Sequence, residues 1–535
     1  MASWFDLFAP DRAWLQDETG IYPMKRTAEG FAAKETDLVL RARDGKLDAL
    51  ITAQSEPICR ITLRFQVSLP EDCRILGDHW ERGYGDLCWQ GIIPERVMPW
   101  YMLLHAKGKT DGIGVMTGCA AMCWWRLTAD SLTLCMDVRN GDGGVVLGGR
   151  TLAAATLVTT EAVEGQSAYE ATRALCKALC ESPVMPKEPV YGGNNWYYAY
   201  GESTHEQILR DSKFISSLSE SKNRPYMVID DGWQICRNSG FTGGPWHAGN
   251  RKFPDMPELA AQMKQDGVKP GIWVRPLLNC VNHPKSWQLP NAAARFPLRI
   301  YGGEYDCQWD PTIPEVREVV REDIAHIRDW GYDMIKHDFT TYDIFGRWGF
   351  EMGEIITAGN WHFNNRGITN MEAVIALYRD IADAAGDVAV LGCNTISHAA
   401  AGIFAVNRTG DDTSGFEWSR TRKMGINTLA FRSPHHGTFY SADADCIGIT
   451  SKIPWDLNAQ WLEAVAKSGT PLFVSVDPLY AGEKEIRALK EAFALAAKEN
   501  SDCEPLDYLN TTCPSSWRFG KETRRFHWDA DTQGL

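Results

Sequence analysis

The sequence predicts an α/β protein: a (β/α)8 TIM barrel preceded by an antiparallel β-sandwich domain and followed by a short C-terminal β tail. Residues 35–160 contain many short strand-like runs without a helical period, which is typical of a sandwich. From residue 190 onward, about eight apolar strand-like runs follow one another, most of them with a helical stretch behind them. Alternating strands and helices predict a parallel sheet, and eight such units predict a closed barrel.

Three domains are expected at residues 1–182, 190–500 and 501–535. In the first, Ile61–Val67 alternates apolar and polar residues, as a half-buried strand does. A helix is predicted over Ser167–Cys180, and the proline-bearing link at 183–189 predicts the boundary to the barrel. After residue 501 only the hairpin-like run Trp517–Trp528 remains.

The eight barrel strands are predicted within the runs Val190–Tyr200, Pro225–Trp233, Lys269–Leu277, Tyr332–Phe339, Val388–Asn394, Ile403–Arg408, Gly437–Tyr440 and Pro471–Val476. The helices that accompany them are predicted at Thr204–Glu220, Met256–Asp266, Pro314–Trp330, Asn370–Ala385, Leu457–Lys467 and Lys484–Lys498.

Composition narrows the classes of partner. The 535 residues carry a formal net charge of -14 with no cluster of Lys and Arg, so a nucleic-acid partner is not expected. No run has the apolar length of a membrane helix, and the start of the sequence has no secretory signal pattern. Fifteen scattered cysteines without C-x-x-C pairs predict reduced thiols and a cytoplasmic location. A homo-oligomer is left open.

Polar residues recur where the predicted strands end, which is the edge of a barrel that carries functional groups. Lys336 and Asp338 are two positions apart on one strand and therefore share a face. A carboxylate beside a base at two strand ends suits acid/base chemistry with a carboxylate nucleophile. The residues at this rim are Asp230, Asp231, Arg275, Lys336, Asp338, Cys393, Asn394, Arg408, Asp412, Asp443 and Asp445.

Seven segments in a fixed order resemble the melibiase-type α-galactosidases, the retaining glycosidases of clan D, with glycoside hydrolase family 36 as the nearest. They are Asn194–Tyr198, Val228–Trp233, Phe253–Pro254, Lys269–Trp273, Asp333–Phe339, Arg408–Asp412 and Ser468–Leu472. The resemblance covers about residues 190–480 and extends more loosely to Gly77–Asp86.

The resemblance implies that Asp338 is the nucleophile and that Asp412, rather than the adjacent Asp411, is the acid/base. A retaining mechanism places two such carboxyls about 5–5.5 Å apart. Lys336 is expected to keep the pKa of Asp338 low, while burial and the charge of Asp338 should hold Asp412 protonated. Trp196, Asp230, Asp231, Arg275, Lys336, Cys393, Asn394 and Arg408 are the implied substrate-binding residues. Neither a metal nor an organic cofactor is required.

The predicted function is thus retaining hydrolysis of terminal α-galactosides in a glycoside or oligosaccharide substrate. The segment Cys393–His398 is bulkier and more polar than the family pattern, so an α-N-acetylgalactosaminidase stays open. An α-galactosyl transglycosidase shares every motif. A metal-dependent barrel hydrolase would need histidine ligands from His283, His337, His398, His435 and His436, but no H-x-H occurs. The insert at Tyr342–Asn365 is either a wall of the pocket or a hydrophobic flap.

Overall fold

The computed structural model describes residues 10–238, 241–279, 283–290, 295, 308–498 and 503–529. The predicted start of the C-terminal tail at residue 501 lies outside these residues. The predicted fold class is confirmed: two antiparallel sheets come first, a parallel barrel follows, and a small antiparallel sheet ends the described chain. No described helix is both long and apolar enough to cross a membrane.

Two antiparallel sheets form the N-terminal sandwich. Along Lys46–Ala53 every second side chain is buried, which is the pattern of a strand with one face on a core. One sheet contains Pro10–Asp17, Ile21–Pro23, Pro57–Gln66, Met98–Pro99, Met122–Leu127, Ser131–Asp137 and Val145–Val146. The other contains Lys25–Arg26, Gly30–Ala33, Thr36–Arg43, Lys46–Ala53, Arg74–Gly77, Tyr101–Ala106, Lys109–Val115 and Thr151–Thr160.

The helix Ala168–Leu179 covers one face of the second sheet. It begins with a capping box, in which the Ser167 side chain accepts from the Glu170 backbone N–H while Glu170 reaches back. The helix can approach closely because Gly112 has no side chain at the contact, where a Cβ atom would come within 2.8 Å of Leu175. The predicted helix is therefore present, at nearly the predicted residues.

Eight parallel strand positions form the barrel. The strands are Tyr191–Asn194, Tyr226–Ile229, Lys269–Val274, Met334–His337, Ala389–Gly392, Val406–Arg408, the divided strand Ser441–Asp443 with Cys446–Ile449, and Leu472–Val476. The sheet closes through the divided seventh strand, because its first half pairs with the sixth strand and its second half pairs with the eighth. Asp445, with a left-handed φ of 68°, stands at the division.

The seventh strand begins later than predicted. Gly437–Tyr440 forms a turn in which the Gly437 N–H bonds to the Tyr440 carbonyl at 3.0 Å, and Gly437 has a φ of 74°. The aromatic residues of this run favour a strand in the sequence, but the hydrogen bond from Gly437 to Tyr440 makes the backbone a tight turn. The strand starts only at Ser441.

The long helices around the barrel are His205–Ser217, Met256–Gln265, Pro314–Asp329, Asn370–Ala385, Trp455–Ser468 and Glu483–Ala496. Shorter ones are Trp196–Ala199, Thr340–Phe345, Ser397–Ala400, Trp418–Thr421, the π-helix Arg422–Asn427, Thr428–Arg432, and the 3₁₀ turns Lys285–Trp287, Gly349–Glu351 and Ser433–His435. A small hairpin pairs Cys236–Asn238 with Phe241–Gly243, and the tail pairs Cys503–Pro505, Ser516–Phe519 and Glu522–Arg525. The tail therefore has three strands, one more than the predicted hairpin.

A buried ion pair joins the sandwich to the barrel. Arg432, at the end of a barrel helix, bonds the Asp78 carboxylate through Nε at 2.8 Å. The same guanidinium donates to the Glu81 carbonyl at 2.8 Å and to the Thr409 carbonyl at 3.3 Å. Because Glu81 belongs to the N-terminal domain and Thr409 follows the sixth barrel strand, one buried cation holds both chain segments together.

Asp78→Asn should destabilise the fold strongly, because it leaves the buried Arg432 charge uncompensated. We expect a loss of about 3–5 kcal/mol, measured by urea unfolding followed through tryptophan fluorescence. The matched control is Asp387→Asn, which breaks a pair with Lys187 whose side chains are 93% and 82% exposed. That control should change stability by less than about 1 kcal/mol. Equal losses of unfolding free energy in the two variants would contradict a stabilising role for the Asp78–Arg432 pair.

Candidate active site

Asp230, at the end of the second strand, collects donors from two other strands. The Lys336 ammonium bonds Asp230 Oδ2 at 2.6 Å, and the Asn194 amide donates to the same oxygen at 2.7 Å. Burial would lower the pKa of Lys336, but the Asp230 carboxylate outweighs it and the pKa lies well above its ordinary value. Lys336 is therefore charged, and its hydrogen-bonded partner is Asp230 rather than the expected Asp338.

Asp338 follows the fourth strand directly and is half-buried. Its backbone N–H donates to the Val274 carbonyl at 3.0 Å, which continues the pairing with the third strand. Its carboxylate accepts from Trp273 Nε1 at 3.0 Å and from the Phe339 N–H at 2.8 Å. Phe339 has a left-handed φ of 64°, so the chain turns sharply after Asp338 and leaves the carboxylate at the barrel rim.

The adjacent carboxylates Asp411 and Asp412 have different surroundings. Asp411 lies between two guanidiniums, at 2.6 Å from Arg82 and 2.8 Å from Arg420. Asp412 pairs with Arg408 at 3.3 Å, and its side chain is 38% exposed. Asp411 thus serves as an ion-pair centre between domains, whereas Asp412 keeps an accessible face.

Arg408 is the buried cation at the end of the sixth strand. Its NH2 group lies 2.9 Å from Asp445 and 3.3 Å from Asp412, and NH1 donates to Cys393 Sγ at 3.3 Å. Asp445 in turn accepts from the Thr413 N–H at 2.7 Å and from the Tyr197 hydroxyl. Arg408 and the loop that carries Asp412 are therefore positioned by one carboxylate at the break in the seventh strand.

The pKa of Asp412 differs from the expectation that burial holds this group protonated. Burial does raise it, but Arg408, followed by Arg82, Lys336 and Arg420, outweighs burial and lowers the pKa below its ordinary value. The expectation that burial holds Asp412 protonated was therefore wrong. Arg82 and Arg420 come from a distant loop and a short helix, which no local pattern around Asp412 reveals.

Cys393, directly after the fifth strand, lies within electrostatic reach of Asp338 and accepts a hydrogen bond from Arg408. Burial, and then the charge of Asp338, raise the pKa of its thiol well above its ordinary value, so Cys393 is protonated. Arg408, which binds Asp412, and Arg82 at 3.7 Å both donate to the Cys393 sulfur. Cys393 is thus close enough to Asp338 to feel its charge and is hydrogen-bonded to Arg408. The ends of the fourth and sixth strands therefore lie around one site.

The other sequence-predicted residues differ in how directly they face this site. Trp196 is half-buried at the start of a short helix, and its N–H donates to Asn194 at 2.7 Å. Asp231 accepts from Gln234 Nε2 at 2.6 Å in the turn after the second strand. Trp196 therefore lies near Asp230 through their shared partner Asn194, and Asp231 lies next to Asp230 in the chain.

Asn394 and Arg275 are engaged in structural contacts. Asn394 is buried, and it donates to Glu81 at 2.8 Å while accepting from the Tyr342 N–H at 3.1 Å. Arg275 forms a two-point pair with the buried Asp343, through Nε at 2.9 Å and NH2 at 2.5 Å. Asn394 therefore joins three chain segments, and Arg275 supports the ring of Phe339, whose centroid lies 4.1 Å from the guanidinium carbon.

Sequence reasoning missed Glu81 and Arg82, which the N-terminal domain places at the barrel rim. The Gly83 N–H bonds to the Thr409 carbonyl at 2.8 Å, so this loop continues the barrel edge. The Arg82 guanidinium lies 5.5 Å from the ring of Trp348, which stacks on Tyr342 at 4.3 Å. Trp348 belongs to the insert at 342–365, which therefore packs against the N-terminal loop beside the site. The charged and aromatic run Gly77–Asp86 was the available signal.

The five histidines proposed for a metal site are dispersed. Burial lowers the pKa of His337 and His435 to about 3 and that of His398 and His436 to about 4. The His337 ring packs against Tyr378 and Phe404, each at 5.5 Å. Among the described residues, no three His, Cys, Asp or Glu side chains come together in a way that could hold a metal ion.

Solved α-galactosidases share this fold. TtGalA from Thermus thermophilus, determined with p-nitrophenyl α-D-galactopyranoside, aligns with a TM-score of 0.61 and 15% identity over 91% of this chain and 99% of its own. The family 36 α-galactosidase AgaA from Geobacillus stearothermophilus, determined with stachyose, gives 0.57 and 15% over 92% and 76%. The Lactobacillus brevis α-galactosidase gives 0.56 and 14% over 92% and 73%. The fold is therefore that of family 36 α-galactosidases.

A curated relative matches part of the sequence. The bifunctional α-galactosidase/sucrose kinase AgaSK from Mediterraneibacter gnavus is 26% identical over 200 residues, which are 36% of this chain and 20% of that protein. No family model matches the chain. The expected resemblance to family 36 is thus confirmed at the level of fold, and the chain spans about a fifth of the curated relative.

Glu81→Gln should make stability less dependent on pH. Burial raises the pKa of Glu81 from 4.5 to about 7, so this carboxyl is still protonated in the folded protein where the unfolded chain has already ionised. Its contribution to stability is therefore present below about pH 4.5 and is lost as the pH rises toward 7. Gln cannot ionise, so we expect the variant to melt at a higher temperature than the unaltered protein at pH 8 and at a similar one at pH 4.5.

The comparison variant is Glu351→Gln, whose carboxylate caps a short helical turn at the partly exposed Trp348. It should show no gain at pH 8. A Glu81→Gln melting temperature that is lower than that of the unaltered protein at pH 8 would contradict a neutral Glu81.

Proposed function

We propose that the protein is a retaining glycosidase that hydrolyses terminal α-galactosides. One observation carries the proposal: two partly exposed carboxylates, Asp338 and Asp412, follow the fourth and sixth strands, and the buried Lys336 ammonium lies within electrostatic reach of both. The supporting observation is that the solved proteins with this fold are α-galactosidases.

In the proposed mechanism Asp338 attacks the anomeric carbon and forms a glycosyl ester, while Asp412 gives a proton to the departing oxygen. Asp412 then takes a proton from water, and the resulting hydroxide breaks the ester and frees Asp338. Two inversions give net retention. Trp273 Nε1 and the Phe339 N–H hold the Asp338 carboxylate in one orientation, which favours attack from a fixed direction.

Asp412, rather than Asp411, is assigned the proton transfer. Both oxygens of Asp411 are engaged by guanidiniums, Oδ1 by Arg82 and Oδ2 by Arg420. Asp412 retains an accessible face. An acid/base must reach the leaving group, so accessibility decides between the two neighbours.

The glycone is assigned to the pocket beside Asp230, Asp231, Lys336 and Trp196. Charged acceptors and donors compete with water for sugar hydroxyls. Near the 2-position implied by the family resemblance, Cys393 lies between the guanidiniums of Arg408 and Arg82. A 2-hydroxyl sugar is proposed over a 2-acetamido one, because the solved proteins of this fold named above are α-galactosidases.

Terminal α-galactosyl units of oligosaccharides are the proposed natural substrate class. Solved proteins of this fold were determined with stachyose and with raffinose. Twelve cysteines in the described part of the chain are free thiols, which suits the proposed cytoplasmic location.

Replacing Asp338 with Gly should reduce turnover of p-nitrophenyl α-galactoside by about 10⁴-fold or more, because no group remains to form the ester. Added azide should restore turnover and give the β-configured galactosyl azide, since azide attacks from the face where Asp338 stood. Product configuration is read by NMR. The exposed Asp387→Asn variant is the control and should retain full activity. Near-normal turnover by the Gly variant would contradict the assignment.

Asp412→Gly and Asp411→Gly should differ in their dependence on the leaving group. Without its proton donor, the Asp412 variant should lose about 10²–10⁴-fold on an alkyl α-galactoside and far less on α-galactosides of acidic phenols. Azide should then yield the α-configured azide, because Asp338 still forms the ester. The Asp411 variant should lose activity equally on all leaving groups. If the two variants show the same pattern, Asp412 is not the acid.

A further inference from the structure

A half-exposed aromatic ring lies just beyond the proposed proton donor. Phe416 is 50% exposed, and its ring stacks on Tyr200 with centroids 4.8 Å apart and planes 15° from parallel. A singly exposed apolar side chain is common on protein surfaces, so the position of this ring matters more than its exposure. Phe416 follows Asp412 by four positions in the loop after the sixth strand.

The loop that carries Phe416 is held in place from several directions. The Gly415 N–H donates to the Tyr200 hydroxyl at 3.3 Å, and the Gly415 carbonyl accepts from the Thr450 hydroxyl. A Cβ atom at Gly415 would lie 1.9 Å from the Tyr197 carbonyl oxygen, so the backbones are in direct contact. The Phe416 N–H donates to the Ser414 hydroxyl at 3.0 Å. The exposed ring is therefore presented by a fixed loop.

Tyr200 connects this ring to both halves of the proposed site. Burial raises the pKa of Tyr200, and the charges of Asp412 and Asp445 raise it further, so Tyr200 lies within electrostatic reach of Asp412. On its other side, Tyr200 contacts Trp196 with centroids 5.5 Å apart. Trp196, Tyr200 and Phe416 thus form an aromatic series that runs from the glycone pocket, past Asp412, to the surface.

We propose that the exposed face of Phe416 is a leaving-group subsite that binds the apolar C–H face of a pyranose ring. The inference rests on the proposed function, because it takes Asp412 as the group that protonates the leaving oxygen. The sugar behind that oxygen must lie next to Asp412, and a ring stacked on Tyr200 is the platform there. Aromatic faces bind the axial C–H face of sugars by dispersion and burial. The substrate class is therefore an α-galactoside whose leaving group is itself a sugar.

The test compares leaving groups in the full-length protein. Phe416→Ala should raise KM for raffinose about three- to tenfold, since an aromatic contact is worth about 0.5–1.5 kcal/mol. It should leave kcat/KM for α-galactosyl fluoride within about twofold, because fluoride presents no ring to stack. Phe416→Trp should restore the raffinose KM. Leu506→Ala, which removes a 46% exposed apolar side chain from the C-terminal segment, is the control and should change neither substrate.

Four outcomes would overturn the inference. An unchanged raffinose KM in Phe416→Ala would show that no sugar stacks there. An equal loss of kcat/KM on raffinose and on α-galactosyl fluoride would show that the substitution had disturbed the loop rather than a subsite. Failure of Phe416→Trp to restore the raffinose KM would show the same. Absence of fluoride turnover in the unaltered protein would instead remove the proposed function, and this inference with it.

Discussion

The site depends on the buried cation Arg432, which brings two domains to one barrel edge. Its pair with Asp78, at 2.7–2.8 Å, is almost fully removed from water, and its other donors reach backbone carbonyls on both sides. Such a pair adds little net stability over an apolar contact, but it is very costly to break and it fixes register. Through it the loop at 78–86 lies along the end of the sixth strand. Arg82 and Glu81 therefore reach the rim together.

At the barrel rim, negative charge is offset partly by buried cations and partly by carboxyl groups that stay protonated. Lys336, Arg408 and Arg82 face a larger number of carboxyls. Two of those carboxyls, Glu81 and Asp443, have their pKa raised by burial to about 7. A neutral acid at these positions lowers the repulsion among the remaining carboxylates. The cations can then be shared between the groups that must stay ionised.

Much of the site could be predicted because it lies on strand ends. Lys336 and Asp338 stand at the end of an apolar strand and share one of its faces, and both facts are local. The closed barrel was predictable for the same reason, since eight units repeat one pattern. Arg82 could not be found this way, because it lies 311 positions from Cys393 and reaches it only through domain packing. The lowered pKa of Asp412 has a local part, from Arg408 four positions earlier, and a second part from Arg82, which only domain packing brings near. The division of the seventh strand at Asp445 rests on one left-handed residue, for which Asp is permissive but not diagnostic.

Asp412, the proposed proton donor, has a pKa lowered by neighbouring guanidiniums, so the proposed mechanism requires it to gain a proton when substrate binds. Asp412 has one face open to water, and solvent there stabilises the ionised form. A glycone beside Asp230 and a leaving group over Phe416 would remove that water, and the neighbouring Asp338 carboxylate would then repel a second negative charge. Both changes raise the pKa of Asp412, and neither requires the guanidiniums to move. In the proposed mechanism the aromatic series and Asp412 would therefore act together, because a sugar leaving group would exclude the water that keeps the Asp412 carboxyl ionised.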